Sequence, residues 1–263
     1  TVLLQFACFN NKCVVMGDPS GKKEDFPEAI EAFIEETDRL CYLPVFYETS
    51  EEIVMILHEF GYDFIKMGEE AYVDLNSFTT SGKKMKGTRA VLNRIEREGF
   101  TFDVLQPPFS AEQMSIFKNI SDNWLGSRKE KGFSLGFFSE DYLQRAPIAV
   151  VKNTQEEIVA FATIMPTYTN NKVGTIDLMR YDPKKAPSGS MDFLFLHLFA
   201  YMKEEHIQWF NLGMAPLSNV GTSRKSFLQE RIAYLVYEFG SHFYSFHGLR
   251  EYKSKYATNW VSR

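Results

Sequence analysis

The chain has 263 residues, enough for one large domain or two of ordinary size. A hydrophobic share of 44%, a charged share of 24% and the presence of 24 Phe and 13 Tyr describe a globular protein with an aromatic core, which excludes disorder over most of the length. A net charge of −5 excludes a generic nucleic-acid coat protein, and no apolar run approaches the roughly 20 residues that a membrane span needs.

Two short strands open the chain (2–8 and 13–16) and run into a Gly17-Asp18-Pro19 turn. Cys8, Cys13 and Cys41 are an odd set without CxxC spacing, which predicts reduced, buried thiols rather than a disulfide framework or a zinc knuckle. No signal-peptide pattern is present, and Thr1 with its strand-like start suggests a piece of a longer protein. A helix over 25–39, a strand over 43–47, a helix opened by Thr49 or Ser50, and strands over 62–66 and 71–75 follow.

At Ser77 the character changes. Six cations, Lys83, Lys84, Lys86, Arg89, Arg94 and Arg97, stand against Glu96 alone, so a basic helix is expected that suits phosphates of RNA or of an anionic membrane, or serves as a solvated linker. Pro107-Pro108 marks a break, because consecutive prolines interrupt both helix and sheet. The expected division is therefore a first domain over 1–82, a basic connection over 83–106 and a second domain over 107–263.

In the second part Ser110 caps a helix to Trp124, a loop over 126–136 carries Arg128, Lys129 and Lys131, and strands follow at 148–152 and 158–167. The centre of the chain is a strand, helix, strand crossover: Val173 to Tyr181, a helix from about Ser190, and Ile207 to Gly213, which forces two parallel strands into one sheet. The helix is apolar nearly all round and belongs in the core, with Ser190 as its cap and Asp192 in its first turn. Regular alternation would send Asp177 and Arg180 to opposite faces of their strand, so a bulge between them is predicted if they share a site. A helix over 223–239, a strand over 242–246 and a short amphipathic helix with Arg250, Lys253 and Lys255 on its outer face complete the chain. Both halves repeat one α/β order, read as a structural repeat without a sequence trace.

The segments GFSLGFF (132–138), IDLMRYDP (176–183), FNLGMAPLSNVG (210–221) and GLREYKSKYATNW (248–260) together resemble the cytosolic domain of bacterial phosphatidylglycerol lysyltransferases, the multiple peptide resistance factor family. The resemblance covers nearly the whole chain. It implies α/β tandem acetyltransferase-like (GNAT) folds joined by the basic helix in a Fem-like arrangement. It further implies transfer of lysine from lysyl-tRNA to phosphatidylglycerol at the cytoplasmic face of the bacterial membrane, after an amino-terminal transmembrane domain. The product would be a cationic lipid that lowers membrane negative charge and favours resistance to cationic antimicrobial peptides.

The residues agree with such chemistry. Where a coenzyme A-dependent fold needs a glycine-rich pyrophosphate cradle, this chain has KKAPSGSM, with one Gly and a Pro that lacks an N–H. Exchange of one ester for another calls for neither metal nor redox cofactor. Two ammonium groups on a lysyl donor call for buried carboxylates, for which Asp177 and Asp192 are the candidates, with Asn211 as a neutral partner. Ser188 and Gly213 complete the substrate-binding set, while Arg180, Arg250, Lys253 and Lys255 are cations for lipid or tRNA phosphate. Asp177 and Arg180 carry the catalytic assignment, the base being either Asp177 or the vicinal hydroxyl of the tRNA.

On local pattern alone, Asp177 and Arg180 are a plain ion pair, His197 a satisfied core residue, and Trp124, Trp209 and Trp260 core side chains. The Phe residues of 133–138 are core or the wall of an acyl groove. An alanyl donor, a Fem-like ligase with an amine acceptor, and a non-catalytic lipid- or tRNA-binding module working through the 83–97 helix are the alternatives.

Overall fold

The structure is a computed structural model that describes residues 1–130, 136–168, 172–223, 225–239 and 246–263. Contacts divide the chain into two compact units. The smaller comprises Thr1–Glu70, Met214–Arg250 and Trp260–Arg263; the larger comprises Ala71–Gly213 and Glu251–Asn259. The expected cuts at 82/83 and 106/107 both fall inside the larger unit. A strand was missed there: β7 (Thr101–Leu105) lies just before the proline pair and hydrogen-bonds along its length to β8 (Ile148–Lys152).

In the smaller unit, β1 (Val2–Leu3) pairs with β4 (Ser20–Gly21), while β2 (Phe6–Phe9), β3 (Lys12–Met16) and β5 (Leu43–Tyr47) form a three-stranded sheet in that order. Helices α1 (Phe26–Arg39) and α2 (Glu51–Glu59) close over a core of Phe26, Ile30, Ile53 and Leu57, which are spaced to line one helical stripe each. The β2–β3 register sets Cys8 opposite Cys13, and the two are joined by a disulfide; Cys41 is exposed. This corrects the expectation of reduced, buried thiols, because a hairpin turn brings the two together and cysteine spacing by itself does not reveal a register. The expected strand over 62–66 is absent: the segment makes no ladder, although its composition suits one. Helix α7 (Leu228–Phe239) starts five residues later than expected, and the strand expected over 242–246 falls almost wholly outside the described residues, with Phe246 instead opening α8 (Phe246–Ser254).

A seven-stranded sheet follows the order β12-β6-β11-β10-β9-β8-β7, where β6 is Gly68–Asp74, β9 Ile158–Met165, β10 Val173–Tyr181, β11 Trp209–Pro216 and β12 Asn259–Ser262. From β7 to β10 neighbours are antiparallel, and β10 and β11 are parallel, as the crossover requires. One face is covered by α6 (Ser190–Glu204), whose Phe193, Leu194, Leu198 and Phe199 are buried beside Phe210 and Tyr256. The other carries α4 (Ala111–Leu125), whose Phe117 is buried against Phe161 and Leu178. The predicted start of α4 is present in full: the Ser110 hydroxyl accepts from the Gln113 N–H, and the Gln113 side chain accepts from the Ser110 N–H.

The cap of α6 is not Ser190 but Gly189, at φ +85°. A side chain at 189 meets two obstacles, a left-handed backbone and Val91 Cγ1, which a Cβ would overlap. Val91 belongs to α3 (Lys86–Arg97), the basic helix, which packs Val91, Leu92 and Ile95 into the same core as α6. The helix is thus an integral part of the larger unit rather than a linker. Gly189→Ala is expected to cost about 2 kcal/mol from backbone strain and overlap, and Val91→Ala in the same chain to return part of that loss. Chemical unfolding of the single and double variants measures the coupling, and strictly additive losses would refute the packing argument.

Candidate functional site

β10 and β11 pair only through Val173–Trp209, Gly174–Phe210 and Thr175–Asn211, after which the strands part. Parting leaves backbone groups to be satisfied locally. The Asn211 side-chain oxygen accepts from the Gly213 N–H at 2.7 Å, and Gly213, at φ +79°, turns the strand away. The Thr175 hydroxyl donates to the Asn211 carbonyl at 2.9 Å.

On the other side of β10 the predicted bulge is present. Ile176 faces Ile164 of β9 but Met179 faces Ala162, so three steps along β10 match two along β9. The N–H of Leu178, inside the bulge, is taken by the Thr163 hydroxyl at 2.9 Å. Ile176 and Met179 consequently pack on the α6 side, whereas Leu178 packs on the α4 side. Asp177 and Arg180 both find their partners on the α4 side as well. The carboxylate of Asp177 accepts from the Tyr142 hydroxyl at 2.8 Å, and Arg180 lies over the Trp124 ring at 3.9 Å. Tyr142 is on α5 (Glu140–Leu143), and both burial and the Asp177 charge raise its pKa, so the phenol stays a donor.

Asp177 is exposed, not buried as expected. It lies against Gly136, where a Cβ would overlap the carboxylate. Arg180 is buried, and it pairs with Glu130 at 3.0 Å rather than with Asp177. Burial lowers the Arg180 pKa, with Glu130 pulling the other way. Among the described residues its Nε has no hydrogen-bond partner. Trp124 carries a second guanidinium, that of Arg128 at 4.2 Å, so it is a stacking surface as well as a wall.

Where α6 begins, a cavity of about 410 Å³ is lined by Tyr181, Pro187, Ser188, Gly189, Asp192 and Tyr252, among others. Two predicted residues, Ser188 and Asp192, therefore share one pocket. The N–H groups of Ala186 and Ser190 are bonded inside the loop, to Asp182 and Pro187 carbonyls, and that of Lys184 to the Asp182 carboxylate, so none of these is available to cradle a pyrophosphate. Asp192 accepts a short hydrogen bond from the Tyr256 hydroxyl and has Lys255 at 3.6 Å. Burial, and then the neighbouring Tyr252 and Asp192, raise the Tyr256 pKa.

Most of the remaining predicted cations are engaged inside the protein. Arg250 is held by Glu69 at 2.9 Å and lies over Trp260 at 4.5 Å, Lys253 is buried, and Lys255, just past the end of α8, sits over the Tyr252 ring at 4.5 Å. None of the three is on a merely solvated face, because Arg250 and Lys255 each meet a carboxylate distant in sequence and Lys253 is buried with its Nζ near Gly213. Arg89 donates to the carbonyls of Thr80 and Gly82, Arg94 to that of Ser188, and Arg97 to that of Asn93. Lys83, Lys84 and Lys86 remain exposed at the start of α3. His197 is stacked on Phe102 at 5.3 Å; among the described residues its Nε2 has no hydrogen-bond partner, so it is not the satisfied core histidine expected, and burial lowers its pKa. Lys131 and Phe133 lie outside the described residues. Phe138 packs in the α4-side core, and Phe137 is exposed.

Tyr142, Gly136, Glu130 and Glu69 were missed. Gly136 had a signal, a glycine inside GFSLGFF four residues after another. The others act through partners 35 or more residues away, which no local pattern marks.

A family described as phosphatidylglycerol lysyltransferase, C-terminal, matches residues 1–263. A phosphatidylglycerol lysyltransferase of Bacillus subtilis is 51% identical over 258 residues, which are 98% of this chain and 30% of that protein, so the chain spans just under a third of that relative's length. The solved structure of L-PGS from Bacillus licheniformis superposes with a TM-score of 0.86 at 50% identity, covering 99% of this chain and 79% of that one. FemX, at 9% identity, superposes with a TM-score of 0.52 over 88% of this chain and 79% of its own, a likeness of fold.

Proposed function

As the chain belongs to the family of phosphatidylglycerol lysyltransferase C-terminal domains, with an acetyltransferase-like, Fem-like α/β fold, we propose that it transfers lysine from lysyl-tRNA to a hydroxyl of phosphatidylglycerol. The observation that carries this reading is Asp177: an exposed carboxylate fixed by the Tyr142 hydroxyl on a bulge, where β10 leaves its parallel neighbour. The lipid hydroxyl attacks the lysyl ester carbonyl and Asp177 receives its proton. The tRNA ribose oxygen leaves and takes a proton in turn, so one ester replaces another. Asp192, in the pocket at the start of α6, pairs with a lysyl ammonium, with Ser188, Asn211 and Gly213 shaping the surroundings. Arg180 and Lys253 meet phosphate, Glu130 giving way at Arg180. Arg250 and Lys255 act from behind, by holding Glu69 and Asp192. Lys83, Lys84 and Lys86 meet tRNA or anionic headgroups, whereas Arg89 and Arg94 hold neighbouring loops and Arg97 bonds a carbonyl of its own helix.

The full-length protein is proposed to work at the cytoplasmic face of the bacterial membrane behind a transmembrane domain, the product lowering surface charge and favouring resistance to cationic peptides. No helix among the described residues is itself long and apolar enough to cross a membrane. Radiolabelled lysyl-tRNA with detergent-dispersed phosphatidylglycerol is the test. Labelled lysyl-lipid is expected, alanyl-tRNA giving far less because an alanyl side chain has no second ammonium. A folded chain that passes no label to phosphatidylglycerol, or passes it only to an amine acceptor, overturns the proposal.

A further inference from the structure

The buried guanidinium of Arg180 is only partly used. Its Nη1 donates to the carbonyl of Met179, on its own strand, at 3.3 Å. Nε and Nη2 share the other edge, the fork on which an arginine takes two oxygens of a carboxylate or phosphate in parallel. Glu130 fills half of that fork. Its Oε2 accepts from Nη2 at 3.0 Å, while Nε, also buried, has no partner among the described residues. The Trp124 ring at 3.9 Å covers one face of the guanidinium and fixes its plane. With one bond to Arg180 and a side chain 32% exposed, Glu130 is held weakly.

A phosphodiester carries two unesterified oxygens and can fill both donors where Glu130 fills one. Which phosphodiester belongs here follows from the neighbouring carboxylate. The bulge turns Asp177 and Arg180 to the same side of β10, that of α4, and the charge of Asp177 reaches Arg180. In phosphatidylglycerol the phosphate and the free hydroxyls belong to one small headgroup, so a phosphate on Arg180 brings a hydroxyl towards Asp177. The terminal nucleotide of a charged tRNA would instead set its ester there, not a nucleophile. We propose that Glu130 occupies the seat of the acceptor lipid's phosphate. The diester of phosphatidylglycerol displaces it and binds through both Nε and Nη2; by competing for that seat, Glu130 sets how strongly the lipid binds and turns away acceptors that lack a phosphodiester. The assignment to the lipid rests on the proposed function, whereas a phosphodiester seat beneath Glu130 does not.

The test is calorimetric titration of the chain with dihexanoyl-phosphatidylglycerol below its micelle concentration, with glycerophosphoglycerol, dihexanoylglycerol and uncharged tRNA alongside. Glu130→Gln keeps the shape of the side chain and an acceptor for Nη2 but removes the charge. It should bind the short phosphatidylglycerol roughly tenfold more tightly than the parent does, as for a seat that Glu130 leaves open about a tenth of the time. Glycerophosphoglycerol should gain as much, because the gain lies in the headgroup, while dihexanoylglycerol and tRNA should be unchanged. Glu130→Gln combined with Arg180→Gln should bind the lipid no better than the parent. Near-UV circular dichroism reports the fold; if Glu130→Gln fails to fold, Glu130→Asp, which keeps the charge but falls short of Arg180, should give a gain of the same sign. A folded Glu130→Gln chain that binds phosphatidylglycerol no better than the parent, or whose gain survives the loss of Arg180, overturns the seat. A gain on tRNA in place of the lipid overturns the assignment to the lipid. A chain inactive in lysyl transfer whose Glu130→Gln form still gains on the lipid sinks the functional reading and upholds the seat; an active chain without the gain does the reverse.

Discussion

Asp177→Asn is expected to lower single-turnover lysyl transfer by about 10²- to 10⁴-fold, the usual worth of a positioned proton acceptor. Stability should hardly change, because the Asp177 side chain is exposed and its loss opens no cavity. Tyr142→Phe keeps the ring and removes the hydroxyl that fixes the carboxylate at 2.8 Å. It should cost far less, about tenfold, as befits a positioning residue whose loss loosens a catalytic group rather than deleting it. Rapid quench with labelled lysyl-tRNA measures both. A folded Asp177→Asn chain that turns over like the parent would remove Asp177 from the chemistry, whatever Tyr142→Phe does.

The second large effect is on stability. Glu69 is buried and receives hydrogen bonds from Lys66 at 3.1 Å, Asn219 at 2.8 Å and Arg250 at 2.9 Å. Burial by itself would raise its pKa, but these donors together outweigh burial and lower it. Glu69→Ala strands Arg250, whose Nε already lacks a partner among the described residues, and should cost about 3 kcal/mol, the low end for breaking a buried pair because Arg250 is partly exposed. Glu69→Leu with Arg250→Met should recover most of that loss, since neither charge is then left alone. The pH dependence has a fixed sign. The folded carboxyl binds its proton less tightly than the unfolded one, so the contribution is complete above the ordinary value of 4.5 and disappears as pH falls through the lower folded value. Urea titrations at neutral and acid pH measure it. A Glu69→Ala chain as stable as the parent at neutral pH, or one whose deficit grows on acidification, would contradict the network.

Local regularities were legible in the sequence, whereas pairings across long separations were not. β5, β8 and β10 have the expected ends, because each is a short apolar or alternating run between turn residues, and α4 announced its start through Ser110. The bulge followed from parity, since two functional side chains three apart cannot share the face of a regular strand. The 62–66 segment has the composition of a strand but no neighbour to bond with, and propensity without a partner makes none. The partners of the cations were hidden for a related reason. Lys and Arg on a helix read as solvated until the acid or carbonyl that meets them is known, and for Arg250 that acid is 181 residues away. The exposure of Asp177 could not be foreseen from a strand so apolar on either side of it.

The hydroxyl of Thr163 on the N–H of Leu178 means that the irregularity of β10 is partly encoded on a different strand. Removing the extra residue alone would rotate Met179, Arg180 and Tyr181 to the wrong sides and leave a buried alcohol on β9 with nothing to accept. The insertion and its anchor are therefore energetically coupled, and the cost of a change at position 163 is set by a geometry that position 163 does not itself possess.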